Sequence, residues 1–181
     1  MATYRYWRWI WRDVRSGYDR AQADDVELRS GGSSVAWPGG TTCVGTVTGS
    51  TLYWNTGSGE GPENLVDNST ATKGLIQPFT GVWNGGAGDT AIATIDAGSA
   101  ITADAFRYRT GNDADGRDVI SWTFEGSSDN SNWTTLHTGT NESITTTRDT
   151  WTQDFAFSGG GGGGAEFNTG LIARIVRNIG A

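Results

Sequence analysis

The sequence predicts an all-β fold, an antiparallel jelly-roll β-sandwich. Short segments of apolar–polar alternation recur at about ten-residue spacing. The 181 residues hold 28 Gly but only 3 Pro, with no collagen-like triplet repeat, as many tight turns between short strands would require. No long helical pattern interrupts the body of the chain. The 9 Trp, 6 Phe and 5 Tyr set it apart from disordered sequences, which are poor in aromatics. A chain of this length buries roughly two-thirds of its unfolded surface, enough for a real core.

The first element is residues 4–15. Trp7, Trp9 and Trp11 alternate with Tyr6, Arg8, Ile10 and Arg12, so the tryptophans share one face of a strand. Ser16-Gly17 supplies a turn, and residues 26–29 form a second short strand. Residues 30–62 are rich in Gly, Ser and Thr and read as long loops with one strand near 44–47. Trp37, Tyr53 and Trp54 are scattered through them. Aromatics on loops either serve binding or plug the end of the core. Further strands are expected over 91–96, 103–109, 120–126, 133–136 and 150–157, with Trp122 and Trp133 in the core. Arg107 and Arg109 share one strand face, which suits a salt-bridged sheet surface.

Residues 159–164 are an unbroken glycine run, which forms a flexible hinge. Beyond it, Leu171 opens an apolar segment. Ile172, Ile175, Val176 and Ile179 fit the i, i+3, i+4, i+7 face of a helix, while the β-branched content suits a strand equally well. This tail, residues 165–181, either closes the domain's own sheet or docks on a partner subunit. The domain plan is therefore a sandwich over 1–158, a hinge over 159–164 and a docking tail over 165–181.

Charge and composition exclude several functions. The net charge is −7, and residues 30–164 carry 5 basic against 14 acidic residues, so a nonspecific nucleic-acid binder is excluded. The same acidity argues against membrane insertion at anionic lipid. The one cysteine, Cys43, excludes a disulfide framework, and the one histidine, His137, excludes a multi-His metal centre. No nucleophile elbow or phosphate loop is present, so the chain is expected not to be an enzyme. The Asp113-Ala-Asp115-Gly-Arg-Asp118 run has the opening spacing of a calcium loop without its remote Glu. The amino-terminal residues lack the apolar stretch of a signal peptide.

The segment Asp118-Val-Ile-Ser-Trp-Thr-Phe-Glu-Gly-Ser-Ser-Asp129-Asn-Ser-Asn-Trp-Thr-Thr-Leu136 resembles the signature of coagulation-factor type C, or discoidin, domains. Asn64-Leu-Val-Asp67-Asn-Ser-Thr-Ala-Thr72 is similar to the family's Asp-Gly-x-x-x-Thr loop. Ala93-Thr-Ile-Asp96-Ala-Gly98 is similar to its Ile-x-Ile-Asp-Leu-Gly strand. Tyr4-Arg-Tyr-Trp-Arg-Trp-Ile, followed by Ala23-Asp-Asp-Val-Glu-Leu28, is similar to its terminal hairpin, here placed first as in versions found in bacteriophage structural proteins. Asn68 departs from the family glycine, and Gly74 stands where an aromatic often follows the loop threonine.

The resemblance implies a galactose-binding-like sandwich and a binding module. It implies a structural calcium ion held by the Asp67 carboxylate and the Thr72 hydroxyl. Carbonyls of Leu65 and Ser69, with Asp25 or Glu27 from the hairpin, would complete the shell. It also implies a sugar site in loops at one end of the sandwich, with Trp54, Trp37, Trp83, Asn84, Arg109 and Asn112 as candidates. The expected role is a noncatalytic structural or adhesion protein of a tailed-phage virion, a capsid decoration or tail-fibre component made in the host cytoplasm. Its expected partners are other virion proteins, further copies of itself and a cell-surface glycan. The alternative is a stand-alone carbohydrate-binding module of a cellular protein.

Overall fold

The computed structural model describes residues 1–15, 20–48, 52–78 and 90–158. The glycine run, the docking residues Leu171, Ile172, Ile175, Val176 and Ile179, and the site candidates Trp83 and Asn84 lie outside the described residues. The strands in chain order are β1 (Ala2–Val14), β2 (Ala21–Ala23), β3 (Val26–Ser30), β4 (Ser33–Val35), β5 (Thr42–Thr48), β6 (Leu52–Trp54), β7 (Gly74–Pro78), β8 (Thr90–Ala103), β9 (Ala105–Tyr108), β10 (Val119–Ser127), β11 (Thr134–Gly139) and β12 (Phe155–Ala156). Among the described residues there is no α-helix, only short 3-10 turns at Thr56–Ser58, Pro62–Val66 and Asp115–Arg117.

Three antiparallel sheets result. The largest has the order β11-β10-β1-β8-β5, the second β12-β9-β3-β4 and the third β2-β7-β6. The expected all-β antiparallel sandwich is the fold observed. β1 is the central strand of the largest sheet, paired with β10 on one side and β8 on the other. Its alternation does what the sequence demands: Trp7, Trp9 and Trp11 are wholly buried. Register shifts between Tyr4 and Tyr6 mark a bulge, which returns Tyr4 to the tryptophan side, edge-on to Trp7.

Aromatic contacts join the two larger sheets. Phe106 of β9 stacks on Phe124 of β10, centroids 4.0 Å apart. Trp9 meets Tyr108 at 4.9 Å, and Trp122 meets Phe155 edge-on at 4.7 Å. The third sheet joins the same core through Trp54, which packs on Trp11 at 5.2 Å. The indole N–H groups of Trp7, Trp9, Trp11 and Trp122 find no hydrogen-bond partner. Buried area and ring geometry hold this cluster, not polar contacts.

Four expectations need correction. The 30–62 region forms three strands, β4, β5 and β6, because Cys43 and Val47 of β5 pack inward while its threonines face out. The segments 4–10 and 23–28 do not pair as a hairpin: β1 and β3 lie in different sheets. Trp133 is only half-buried and lies under the Arg8 guanidinium, 4.1 Å from its ring, rather than in the core. The last expected strand shrinks to β12, with an isolated bridge from Trp151 to Arg109 preceding it.

Candidate functional site

The outer face of the β9–β3 ladder carries the charges that its inner aromatics exclude. Phe106 and Tyr108 point into the core, so their neighbours Arg107 and Arg109 face the other way. The register sets Glu27 opposite Arg107. Arg107 Nη2 lies 2.9 Å from Glu27 Oε1, and Arg29 Nη1 lies 2.7 Å from the same oxygen. Arg109 Nε donates to Asp24 Oδ2 at 3.1 Å, and its Nη2 donates to Asp25 Oδ2. The expected salt-bridged face is present. Asp24, Asp25 and Arg109 are all buried, at 0%, 3% and 7% exposure. Burial pushes the Asp24 carboxyl up to about 7 and that of Asp25 to about 6, against the pull of Arg109.

Above this layer lies a cleft of about 300 Å³. Its lining includes Asp25, Glu27, Trp37, Asp67, Asn68 and Trp151. The Trp151 ring rests on the two arginines, 4.6 Å from Arg107 and 5.3 Å from Arg109. Trp37 is half-buried, and its indole N–H donates to the Val26 carbonyl at 2.8 Å. Two indoles and three carboxylates thus face one cleft, a combination suited to a ligand with apolar faces and hydroxyl donors.

The floor of the cleft ends at the 67–72 loop. Asp67 Oδ1 accepts the Ser69 N–H at 2.9 Å, and Asp67 Oδ2 accepts the Thr72 hydroxyl at 2.7 Å. Asn68 has φ 55, a left-handed turn that glycine adopts most readily and that Asn tolerates. The Asn68 N–H donates to Asp25 Oδ1 at 2.9 Å.

These residues do not fit the calcium shell expected of them. A calcium ion takes six to eight oxygens, with carboxylates supplying the charge. Arg109 already compensates the charge of Asp25, and Arg29 and Arg107 that of Glu27, so these carboxylates bring an ion little net attraction; the Thr72 hydroxyl donates to Asp67. Among the described residues no group of three or more His, Cys, Asp or Glu side chains is placed to hold a metal. The second candidate loop is likewise spent: Asp113 pairs with Lys73 and Arg117, and buried Asp118 with Arg148 and Arg15.

The structure separates the expected sugar residues. Trp37 lines the cleft and Arg109 lies beneath it. Arg109 is buried under the Trp151 ring, with its Nε and Nη2 engaged with Asp24 and Asp25, so it is not presented to a ligand. Trp54 is 7% exposed and part of the core, so it is no platform. Asn112 sits apart, accepting from Lys73 Nζ at 3.1 Å beside a shallow polar cleft that Thr72 also lines. Trp151 was missed by sequence reasoning. The signal for it was weak: a tryptophan between threonines in a segment read as an ordinary strand. His137 Nδ1 lies 2.9 Å from the Ala156 carbonyl, and its ring packs on Trp122.

An antiparallel sandwich with an aromatic-lined cleft beside a salt-bridged sheet face is an architecture that ligand-binding modules use. The comparison with protein families agrees. The F5/8 type C domain model matches residues 46–177, and the chain belongs to that family. Domains of this family are as a rule noncatalytic binding modules. No curated protein and no solved structure shows a significant match. No helix among the described residues is long and apolar enough to cross a membrane.

Proposed function

We propose that the chain is a noncatalytic carbohydrate-binding module that seats a sugar in the cleft between Trp37 and Trp151. The observation that carries this reading is the pairing of two half-buried indoles with the carboxylates of Glu27, Asp25 and Asp67 in one cleft. Indole faces pack against the C–H faces of a pyranose, and carboxylate oxygens accept its hydroxyls. The cleft volume lies at the small end of the range for small-molecule sites, so it takes one or two sugar units rather than enclosing a polymer.

The test is a glycan array followed by titration calorimetry with the best sugar. Trp37→Ala and Trp151→Ala each weaken binding at least about tenfold, the loss of one buried aromatic contact, while Trp133→Ala, remote from the cleft, leaves it unchanged. Binding untouched by both cleft variants would overturn the reading. The setting we propose for the module is adhesion on a tailed-phage virion, on capsid or tail. Its support is the resemblance in motif order alone, the 4–10 segment preceding the 118–136 signature. Copurification with particles in fixed stoichiometry is the measurement that tests it.

A further inference from the structure

We infer that the Arg109 guanidinium does for the 67–72 loop what a bound cation would otherwise do, making the fold and the cleft independent of calcium. The inference does not depend on what the cleft binds. Its basis is a chain of three contacts. Arg109 donates through Nε to Asp24 and through Nη2 to Asp25. Asp25 turns its other oxygen, Oδ1, to the Asn68 backbone N–H at 2.9 Å. Asn68 sits in the left-handed bend of the loop, directly after Asp67. The loop's own side chains close it locally, through Asp67 to Ser69 and Thr72. Among the described residues, the hydrogen bond that ties this bend back to the β3 side is the one from the Asn68 N–H to Asp25.

The chemistry favours arginine for this post. A guanidinium stays charged at every accessible pH and presents fixed, planar donors that can meet two carboxylates at once. Arg109 is also held by its backbone. Its N–H donates to the Asp25 carbonyl at 2.8 Å, and its carbonyl accepts the Asp24 N–H at 2.9 Å. The side chain is therefore delivered to the two aspartates by a rigid ladder, in a site with almost no solvent exposure. A divalent ion drawing on Asp25 would compete with a cation already paired to it. Because Asp25, Asn68 and Trp151 all line the cleft and all lie on or against this unit, Arg109 is a positioning residue for the cleft.

The experiment uses the full chain. Calcium chloride is titrated calorimetrically, the melting temperature is read with chelator and with excess calcium, and amide exchange at Asn68 is followed in wild type and in Arg109→Gln. The expected result is no calcium heat, one melting temperature across all three conditions, and Asn68 exchange about tenfold faster in the variant, as for a local opening that has lost its anchor. Should Arg109→Gln not fold, Arg109→Lys, which keeps the charge but loses the fork, carries the same exchange measurement. A wild-type melting temperature that falls with chelator would overturn the inference, as would Asn68 exchange unchanged in the variant. Loss of sugar binding in the Trp37 or Trp151 variants bears on the glycan reading and leaves this exchange result untouched.

Discussion

Gly45 of β5 and Trp54 of β6 are shaped to each other: a Cβ on Gly45 would lie inside the Trp54 indole. The glycine opens a slot in the inner face of β5, and the indole fills it on its way to Trp11. Gly45→Ala is therefore expected to destabilise the fold by about 1–3 kcal/mol through overpacking, and Trp54→Ala by about 3–5 kcal/mol through the cavity it leaves. Urea denaturation measures both. Equal stability of Gly45→Ala and wild type would mean that Trp54 does not sit in this slot.

Asn68 is held in the left-handed region, where a Cβ without a helpful side chain is disfavoured. Asn68→Ala should cost about 1 kcal/mol, and Asn68→Gly should stay within about 0.5 kcal/mol of wild type. The ordering Gly, Asn, then Ala in denaturation midpoints is the expected outcome. An alanine variant as stable as wild type would show that the bend is not held at this φ.

The sandwich was legible because its signal is periodic. Trp7, Trp9 and Trp11 alternate through a strand buried on one face, and nothing else in a sequence of this composition buries three indoles at period two. The pairing was not legible. That β1 lies between β8 and β10, not against β3, depends on contacts about a hundred residues apart, which no local pattern encodes. The site was half legible. Trp37 and the carboxylates Asp25, Glu27 and Asp67 were named for two different purposes, and the fold brings them into one cleft. Trp54 misled because the feature that buries it is an absent side chain at Gly45. Arg109 misled because a charged residue reads as surface until its two buried partners are seen.

Asp118 is wholly buried and accepts from Arg148 at 2.9 and 2.5 Å, with Arg15 Nη2 at 3.4 Å. Arg15 also donates to the carbonyls of Ile144 and Thr145, and Arg148 to that of Gly111. This carboxylate ties the end of β1 to the 141–150 segment. Asp118→Ala strands two guanidinium groups and is expected to cost about 3 kcal/mol, as for a broken buried pair. Arg148→Ala, which leaves Arg15 in place, should cost less. A urea series on both variants checks the order; a reversal would mean that Arg15 contributes nothing to holding Asp118.

The buried aspartates beneath the cleft give stability an inverted response to mild acid. Asp24 and Asp25 titrate near 7 and 6 in the folded chain because burial disfavours their charged forms, whereas an unfolded aspartate titrates near 3.9. The folded state therefore binds more protons than the unfolded state between about pH 4 and 7, and stability falls as pH rises through that window. Lowering the pH from 8 toward 5 should raise the denaturation midpoint. Below about pH 4 the effect is complete, and groups held the other way take over. Asp96, beside Arg5, and Asp113, beside Lys73, titrate below their usual range and lose their contribution on protonation. The expected profile has its maximum near pH 5, above the value at pH 8. Asp24→Asn, uncharged at every pH, should flatten the rise between pH 8 and 5. A wild-type midpoint that falls steadily from pH 8 downward would show that Arg109 holds both aspartates ionised.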